Sequence, residues 1–251
     1  MSILTTYTTH KTSKIAHLTI SRPKSFIGGA DLKELSTLPN AAAARKFITS
    51  VHETCTAIRT CPVPVIARIN GFALGAGLEI AAACDIRVAG TGAVFGMPEV
   101  RLGIPSVVEA ALLPGLIGWG RTRQLLLLGG TISAQEALSW GLVERVVKDE
   151  ELDGAVSEWV GEIGKNGPLA VRRQKALISR WEKLSLKGGI EAGIEAFGEC
   201  FEIGEDGGTE PGRMMGEFFR EKEEGKARIE VKDKDKNIGK DKGEGEEGLG
   251  F

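Results

Sequence analysis

The chain has 251 residues, an apolar content of 42%, a charged content of 26% and a formal net charge of −2. These values are typical of a globular protein with one large α/β domain or two smaller ones. A nearly balanced charge argues against a nucleic-acid-binding surface, and the longest apolar runs are too short and too rich in glycine to span a bilayer. We therefore expect neither a nucleic-acid partner nor a membrane location.

The four cysteines and three histidines form no CxxC pair and no spacing typical of metal ligands. This pattern predicts reduced thiols that pack as small core residues, and no metal site. The first six residues lack the basic and apolar segments of a secretion signal, so we expect an intracellular protein. The C-terminus does not resemble the Ser-Lys-Leu peroxisomal signal. Peroxisome, mitochondrion and cytoplasm all remain open.

The first half of the chain predicts alternating strands and helices. The alternating apolar pattern of residues 15–20 predicts a strand that ends before Pro23, and apolar residues at helical spacing predict a helix over 41–60. The prediction continues with a strand over 62–69, a glycine-rich loop over 71–77, a helix over 78–84 and a strand over 85–89. A strand, a glycine turn, a helix and a strand form a βαβ unit, so we expect a parallel sheet.

The second half is predicted to be mainly helical. Ser133 and Glu136 form a capping box at the start of a helix, and Gly141 provides its left-handed stop. Further helices are predicted over 106–117, 121–128, 151–163, 168–184 and 188–203. Residues 219–251 include nine Lys or Arg and ten Asp or Glu, which predicts disorder in the later part of this segment. The predicted organisation is an α/β core over 1–140, a helical region over 141–220 and a charged tail over 221–251.

Two glutamates and two glycine-rich turns carry the chemical signal. Glu79 ends the segment NGFALGAGLE, Glu99 ends the segment FGMPE, and a second glycine-rich turn, GGADL, spans Gly28–Leu32. Two carboxyl groups can perform acid and base steps, and glycine turns ahead of helices present backbone N–H groups to a developing anion. The pattern therefore indicates an enzyme.

Nucleotide binding is not expected at the glycine loop over 71–77. Its glycines match neither the dinucleotide GxGxxG pattern nor the phosphate-binding GxxxxGK[ST] pattern, and no lysine follows Gly77.

In this order, the segments 28–32, 70–79 and 95–103 resemble the enoyl-CoA hydratase/isomerase (crotonase) superfamily. The similarity extends over roughly residues 12–220 and includes Cys84–Arg87, Gly141–Val143, Asp149–Leu152 and Cys200–Phe201. The resemblance implies an α/β fold of the ClpP/crotonase type, which is a spiral of ββα units followed by a helical C-terminal region. It also implies a homotrimer or hexamer and an acyl-CoA substrate, with no metal and no cofactor other than the coenzyme A of the substrate.

The resemblance also implies roles for individual residues. The two catalytic glutamates of family hydratases fall on Glu79 and Glu99, and the two backbone N–H groups of the family oxyanion hole fall on Ala30 and Ala76. We expect Glu79 to activate water and Glu99 to deliver a proton to the α-carbon. A sharing of these roles stays open, because neighbouring carboxyl groups titrate together. Ala76 replaces a common glycine, which leaves the backbone donor intact.

Further substrate contacts are expected around these residues. Asp31 follows Ala30 in the turn but is also a natural cap for the next helix. After Gly103 the family commonly continues with glycines and a threonine, whereas this chain has SVVE, and Glu109 in that segment predicts a branched or polar acyl group. The predicted substrate-binding set is Gly29, Asp31, Leu32, Gly75, Gly77, Pro98, Gly103 and Glu109.

One unit of the family pattern is missing at about Lys24. In the family the preceding Arg-Pro turn leads into a strand, a helix and another strand, which together need roughly 30 residues or more. Here Ser25 begins the approach to the glycine turn at once. We therefore expect a fold truncated in its first turn, with fewer coenzyme A contacts and more exposed apolar surface. A shortened protein and an error in the gene structure both remain open.

The predicted reaction is the reversible addition of water to a 2-enoyl-CoA, or the dehydration of a 3-hydroxyacyl-CoA, through an oxyanion-stabilised enolate. The presence of both glutamates favours this reaction. Two alternatives stay open: an enoyl-CoA isomerase that uses Glu99 alone, and a catalytically inactive crotonase-like interaction protein. The sequence leaves the acyl group and the pathway, fatty-acid or secondary metabolism among others, undetermined.

Overall fold

The structure is a computed structural model that describes residues 16–18, 25–204 and 207–224. The chain forms two compact units, with the division between Ala192 and Gly193. All the described strands and all the candidate functional residues belong to the first unit.

Among the described residues, the strands of the first unit form two four-stranded sheets. One sheet has the order β1 (Ala16–Leu18), β3 (Val65–Ile69), β5 (Ile86–Gly90) and β8 (Arg145–Val147), with every neighbouring pair parallel. The other has the order β2 (Ser25–Ile27), β4 (Phe72–Leu74), β6 (Val94–Gly96) and β7 (Thr131–Ser133), and only its last pair is antiparallel. Up to β6, consecutive strands alternate between the two sheets, and helices follow each pair of strands. The result is a spiral of ββα turns.

The helices of the spiral and of the C-terminal region are α1 (Leu32–Ser36), α2 (Ala41–Thr60), α3 (Ala76–Ala83), α4 (Leu113–Leu128), α5 (Ala134–Trp140), α6 (Leu152–Gly164), α7 (Pro168–Trp181) and α8 (Leu186–Glu199). Short 3₁₀ helices span Glu99–Leu102, Val108–Leu112 and Asp149–Glu151, and a helix also covers 210–224. In the part of the chain that the structure describes, no helix combines the length and the apolarity needed to cross a membrane.

Helix α3 lies at the centre of the first unit. Its sequence is AGLEIAAA, and all eight of its residues are buried. A helix with small or apolar residues around its whole circumference is stable only inside a protein. Its neighbours are α2, β2, β4 and the 3₁₀ helix Val108–Leu112, and these elements surround Glu79, its one acidic residue.

Strand β3 is covered on both faces. Val65, Ala67 and Ile69 belong to the main core, whereas Ile66 packs in a second core that includes Leu152 of α6. Successive side chains of a strand point to opposite sides, so helices cover both faces of the parallel sheet. This burial explains why β3 is an almost continuous apolar run.

The elements predicted in the first half are confirmed, but the short strands β2, β4 and β6 are not among them. Strand β4 lies inside the segment that was predicted as a glycine loop, and α3 begins two residues before its predicted start at residue 78. Three residues between glycines are too short for a periodic pattern. The strand forms because β2 and β6 pair with it from both sides.

In the second half, the capping box of Ser133 with Glu136 and the left-handed stop at Gly141 are confirmed. The prediction that a helix begins at residue 106 is wrong, because Val107 is extended and a 3₁₀ helix starts only at Val108. Helix α4 then runs to Leu128 through a kink at Gly118, which has φ 73° and interrupts the helical hydrogen bonding. Helices α7 and α8 end a few residues before their predicted ends.

The junction predicted at Lys24 lies outside the described residues. The strands on both sides of it enter the spiral, since β1 pairs with β3 and β2 pairs with β4. Of the predicted tail, residues 221–224 are the end of the helix over 210–224, and 225–251 lie outside the described residues. The domain boundaries at 140 and 220 stay predictions.

A buried lysine ties α7 to the sheet. Lys175 Nζ donates hydrogen bonds to the carbonyl groups of Ile58 (3.1 Å) and Val63 (3.0 Å) and to Asp85 Oδ2 (2.7 Å). Asp85 Oδ2 also accepts the N–H of Val65 at 2.6 Å. One ammonium group therefore joins the end of α2, the start of β3 and the start of β5.

We predict that Lys175→Met lowers the free energy of unfolding by about 3 kcal/mol, because it leaves two carbonyl groups and a half-buried carboxylate without their cation. Urea denaturation followed by circular dichroism measures the change. Lys165→Met is the matched control, since Lys165 pairs with Glu162 on the exposed surface of α6 and its loss should cost no more than about 0.5 kcal/mol. Equal effects of the two substitutions would show that the buried network is not stabilising.

Candidate active site

The two glycine-rich turns lie against each other. Strand β2 pairs with β4, which brings the turn after Ile27 to the N-terminus of α3. A Cβ on Gly77 would collide with the carbonyl oxygen of Ile27, and a Cβ on Gly29 would lie 3.2 Å from the carbonyl oxygen of Leu74. Gly29 also has φ 109°, which a residue with a side chain rarely adopts. The close contact therefore depends on glycine at both positions.

The backbone donors predicted for the oxyanion hole are at the ends of these turns. Ala76 is the first residue of α3, and Gly75 caps this helix without a side-chain hydrogen bond, so the first N–H groups of α3 have no acceptor within the helix. Among the described residues, neither the Ala30 N–H nor the Ala76 N–H has a protein acceptor. The partial positive charge of the helix N-terminus adds to the attraction for an anion.

Two predicted binding residues of the first turn have other surroundings. Asp31 is exposed and caps α1, where its Oδ1 accepts the N–H groups of Lys33 (2.8 Å) and Glu34 (3.4 Å). Leu32 is exposed on α1. The structure gives Asp31 a structural role, and a contact of Asp31 or Leu32 with substrate stays a prediction.

Glu79 and Glu99 approach the same point from different elements. Glu79 lies in the first turn of α3 and is 3% exposed, and Glu99 begins the 3₁₀ helix that Pro98 precedes and Gly103 ends with φ 76°. A Cβ on Gly75 would collide with Glu99 Oε1. Because Gly75 has no side chain, the carboxyl group of Glu99 can lie close to the N-terminus of α3.

The environment of Glu79 favours its protonated form. Burial is the largest cause of a raised pKa of about 8 for Glu79, the negative charges of Glu99 and, to a smaller extent, Glu109 contribute to the rise, and backbone hydrogen bonds from Ala110 and Val107 oppose it. A carboxyl group with a pKa near the working pH is suited to general acid–base catalysis.

The sequence did not identify two residues that contact the candidate carboxyl groups. Ser106 Oγ donates a hydrogen bond to Glu99 Oε2 at 2.9 Å, and His52 Nδ1 of α2 lies 2.8 Å from Glu109 Oε1. Glu109 itself, predicted from its departure from the family pattern, is buried near Glu79. His52 is 57 residues from Glu109, so only the packing of α2 on the 3₁₀ helix reveals the contact.

The comparisons with known proteins agree with this geometry. A sequence profile of the enoyl-CoA hydratase/isomerase family matches residues 1–210. The chain is 41% identical to the short-chain-enoyl-CoA hydratase of Clostridium acetobutylicum over 185 residues. The aligned region covers 73% of this chain and 70% of that protein. It is also 41% identical over 185 residues to the crotonyl-CoA hydratase of Syntrophomonas wolfei, with 73% and 71% covered.

Solved structures give the same result. The crystal structure of an enoyl-CoA hydratase from Bacillus anthracis is similar with a TM-score of 0.70 and 39% identity, over 73% of this chain and 71% of that one. The two-sheet spiral and the glycine turns beside paired glutamates define a protein of the crotonase fold. Within that class, the chain belongs to the enoyl-CoA hydratase/isomerase family.

The raised pKa of Glu79 predicts a gain in stability for Glu79→Gln at high pH. Between the ordinary value of 4.5 and the folded value of about 8, the folded protein keeps a proton that the unfolded chain has lost, so stability falls as pH rises through this range. Glutamine removes this loss. We expect the Tm of the variant to exceed that of the wild type by at least about 3 °C at pH 8 and to differ little at pH 4.5.

Thermal unfolding at the two pH values measures this difference. Glu53→Gln, at an exposed position on α2, is the control and should shift the Tm by the same small amount at both. A Glu79→Gln variant with a Tm offset independent of pH would contradict a protonated, buried Glu79.

Gly75→Ala tests the approach of Glu99 to α3. The new Cβ would collide with the Glu99 carboxyl group, and alanine is strained at φ 53°. Because a displacement of about 1 Å in a catalytic group can reduce the rate by about 10²-fold, we expect at least that loss in kcat/KM. The control is Gly154→Ala in α6, where a Cβ meets no atom within 4 Å. If the folded Gly75→Ala variant has unchanged turnover, the position of Glu99 beside α3 is not required for the reaction.

Proposed function

We propose that the chain is an enoyl-CoA hydratase that adds water reversibly to a 2-enoyl-CoA thioester, with Glu79 and Glu99 as its two acid–base groups. The observation that carries the proposal is the meeting of two glutamate side chains at the N-terminus of α3, beside backbone N–H groups without protein acceptors. The identity of 41% to two proteins named as enoyl-CoA hydratases supports it.

The thioester carbonyl oxygen is held between the N–H groups of Ala30 and Ala76. Negative charge develops on this oxygen when water adds to C3, because the electrons of the C2=C3 bond move toward the carbonyl to form an enolate. Two donors fixed at this point stabilise the enolate more than the neutral thioester, and each contributes a factor of about 10²–10³ in rate.

The two glutamates complete the addition. Glu79 takes a proton from water as its oxygen bonds to C3, and Glu99 gives a proton to C2, so that one water molecule is added across the double bond. Glu79 must be ionised for this step. Glu99 must hold the proton that C2 receives, and the raised pKa of Glu79, about 8, makes its ionised form a base strong enough to accept a proton from water.

The partners and surroundings of the reaction are part of the same proposal. The substrate is an acyl-CoA, and the reaction uses no metal and no redox cofactor. The chain works as a homotrimer or hexamer inside the cell. A compartment is not assigned: two relatives, from Arabidopsis thaliana and Dictyostelium discoideum, are named as probable mitochondrial enoyl-CoA hydratases, and they are 36% identical to this chain.

The hydratase assignment predicts that Glu79→Gln and Glu99→Gln each lower kcat for hydration of crotonyl-CoA by at least about 10³-fold, since each glutamine removes one proton transfer. Loss of the enoyl-thioester absorbance measures the rate, and Glu53→Gln is the control with unchanged activity. Glu79→Gln that still isomerises 3-enoyl-CoA to 2-enoyl-CoA would favour an isomerase that uses Glu99 alone. A folded wild-type protein that neither binds nor converts an acyl-CoA would instead indicate an inactive interaction protein.

A further inference from the structure

Glu109 is a buried acid that the addition of water does not use. Its side chain is 9% exposed. One carboxyl oxygen, Oε1, lies 2.8 Å from His52 Nδ1, whereas Oε2 is buried and accepts no hydrogen bond from any described residue. A carboxylate offers about four acceptor positions, and burial without donors is destabilising. Such a group calls for a functional explanation.

The backbone next to Glu109 is strained. Val108 has φ 40° and is the single non-glycine residue with a positive φ in the described part of the chain. A β-branched side chain is unfavourable in this region, and strain of this kind concentrates at functional sites. The 3₁₀ helix Val108–Leu112 therefore fixes Glu109 at a conformational cost.

Glu109 stands between the catalytic pair and a cavity. On one side, the backbone of the next residue, Ala110, hydrogen-bonds to the Glu79 carboxyl group. On the other, Glu109 and His52 line a cavity of about 630 Å³ between α2 and α7, a volume within the usual range for small-molecule sites. The Glu109 side chain therefore adjoins both the surroundings of Glu79 and this cavity.

The charges around Glu109 limit the group that it can bind. The carboxyl groups of Glu99 and Glu109 repel an anionic group. An ammonium group is disfavoured by the basic residues on the wall of the cavity, namely Arg59, Arg172, Lys175 and Lys183. The thiol of Cys55 lies beside Glu109 but is only a weak donor. A neutral hydroxyl group satisfies these requirements.

We infer that Glu109 accepts a hydrogen bond from a hydroxyl group on the acyl chain, beyond the reacting double bond. The substrate is then a hydroxylated 2-enoyl-CoA and not a plain fatty enoyl-CoA. This inference rests on the proposed function, because it assigns the substrate class of the same site.

The test compares substrates that differ only by a terminal hydroxyl group. The full-length protein is assayed with 2-pentenoyl-CoA against 5-hydroxy-2-pentenoyl-CoA, and with 2-hexenoyl-CoA against 6-hydroxy-2-hexenoyl-CoA. We expect kcat/KM to be at least about tenfold higher for the hydroxylated member of one pair, since a site built around a hydrogen bond discriminates against an analogue that lacks it. Equal values within both pairs would overturn the inference and leave the hydratase function intact.

Variants link the preference to Glu109. Glu109→Leu should abolish the preference by lowering kcat/KM for the hydroxylated substrate while largely keeping that for the plain one. Glu109→Gln keeps an uncharged acceptor and should retain part of the preference, and Glu53→Gln should retain all of it. If Glu109 has only a structural role, Glu109→Leu will lower kcat/KM equally for both substrates of a pair. This result would overturn the inference.

Binding provides a readout that does not depend on turnover or on variants that fold poorly. Calorimetry on the wild type compares 5-hydroxypentanoyl-CoA with pentanoyl-CoA, and 6-hydroxyhexanoyl-CoA with hexanoyl-CoA, all of which lack the double bond. Tighter binding of a hydroxylated ligand by at least about tenfold supports the inference even if no enoyl-CoA is hydrated, a result that would count against the proposed function alone. Equal affinities within both pairs would refute the hydroxyl site.

Discussion

The active site depends on the close approach of the N-terminus of α3 to two other segments. Gly77 allows the backbone of α3 to lie against the carbonyl group of Ile27, and Gly75 leaves room for the carboxyl group of Glu99. A single methyl group at either position would separate parts that must meet. The proposed oxyanion donors and Glu99 are therefore positioned by the absence of side chains, and the small residues of α3 keep the helix in the core.

This close approach places carboxyl groups near one another in a buried site, where their negative charges repel. Glu79 is buried near two further carboxyl groups, and its pKa is raised because both burial and negative charge disfavour its ionised form. Backbone hydrogen bonds from Ala110 and Val107 offset this effect only in part. A structural carboxyl group would be better placed at the surface. Proteins that keep such a group inside sacrifice stability for reactivity, and here the group lies in the first turn of α3, next to the proposed oxyanion donor Ala76.

The sequence was sufficient to predict the parts of this protein that depend on local chemistry. The capping box at Ser133, the stop at Gly141 and the buried helix after the glycine loop all follow from interactions between near neighbours, and the structure contains each of them. The three-residue strand β4 was missed, because pairing with two distant strands stabilises it and its own periodicity does not. The helix predicted over 106–117 begins too early, because Val107 is extended and Val108 has a φ of 40°.

The candidate site shows the same division. The resemblance of short motifs identified Glu79, Glu99, Ala30 and Ala76 together, since each lies in a recognisable local pattern. His52 has no such pattern, because its contact with Glu109 joins α2 to a 3₁₀ helix across 57 residues. A contact of this kind follows from tertiary packing, which one sequence does not encode in any local window. In the sequence, Glu109 is marked only by its departure from the family pattern, and its unmet hydrogen bonding is a property of the folded structure.

The missing unit at about Lys24 bears on binding more than on the acid–base geometry. The turn after β2, the helix α3, Glu99 and the 3₁₀ helix with Glu109 all follow the junction, and they contact one another directly. Strands β1 and β2 form the edges of the two sheets in the described residues, each paired with the next turn of the spiral. The residues proposed for catalysis therefore all follow the junction. The family resemblance places some of the coenzyme A contacts in the missing unit. The shortened first turn therefore lacks surface beside the site, and we expect it to lower the affinity for the coenzyme A part of the substrate.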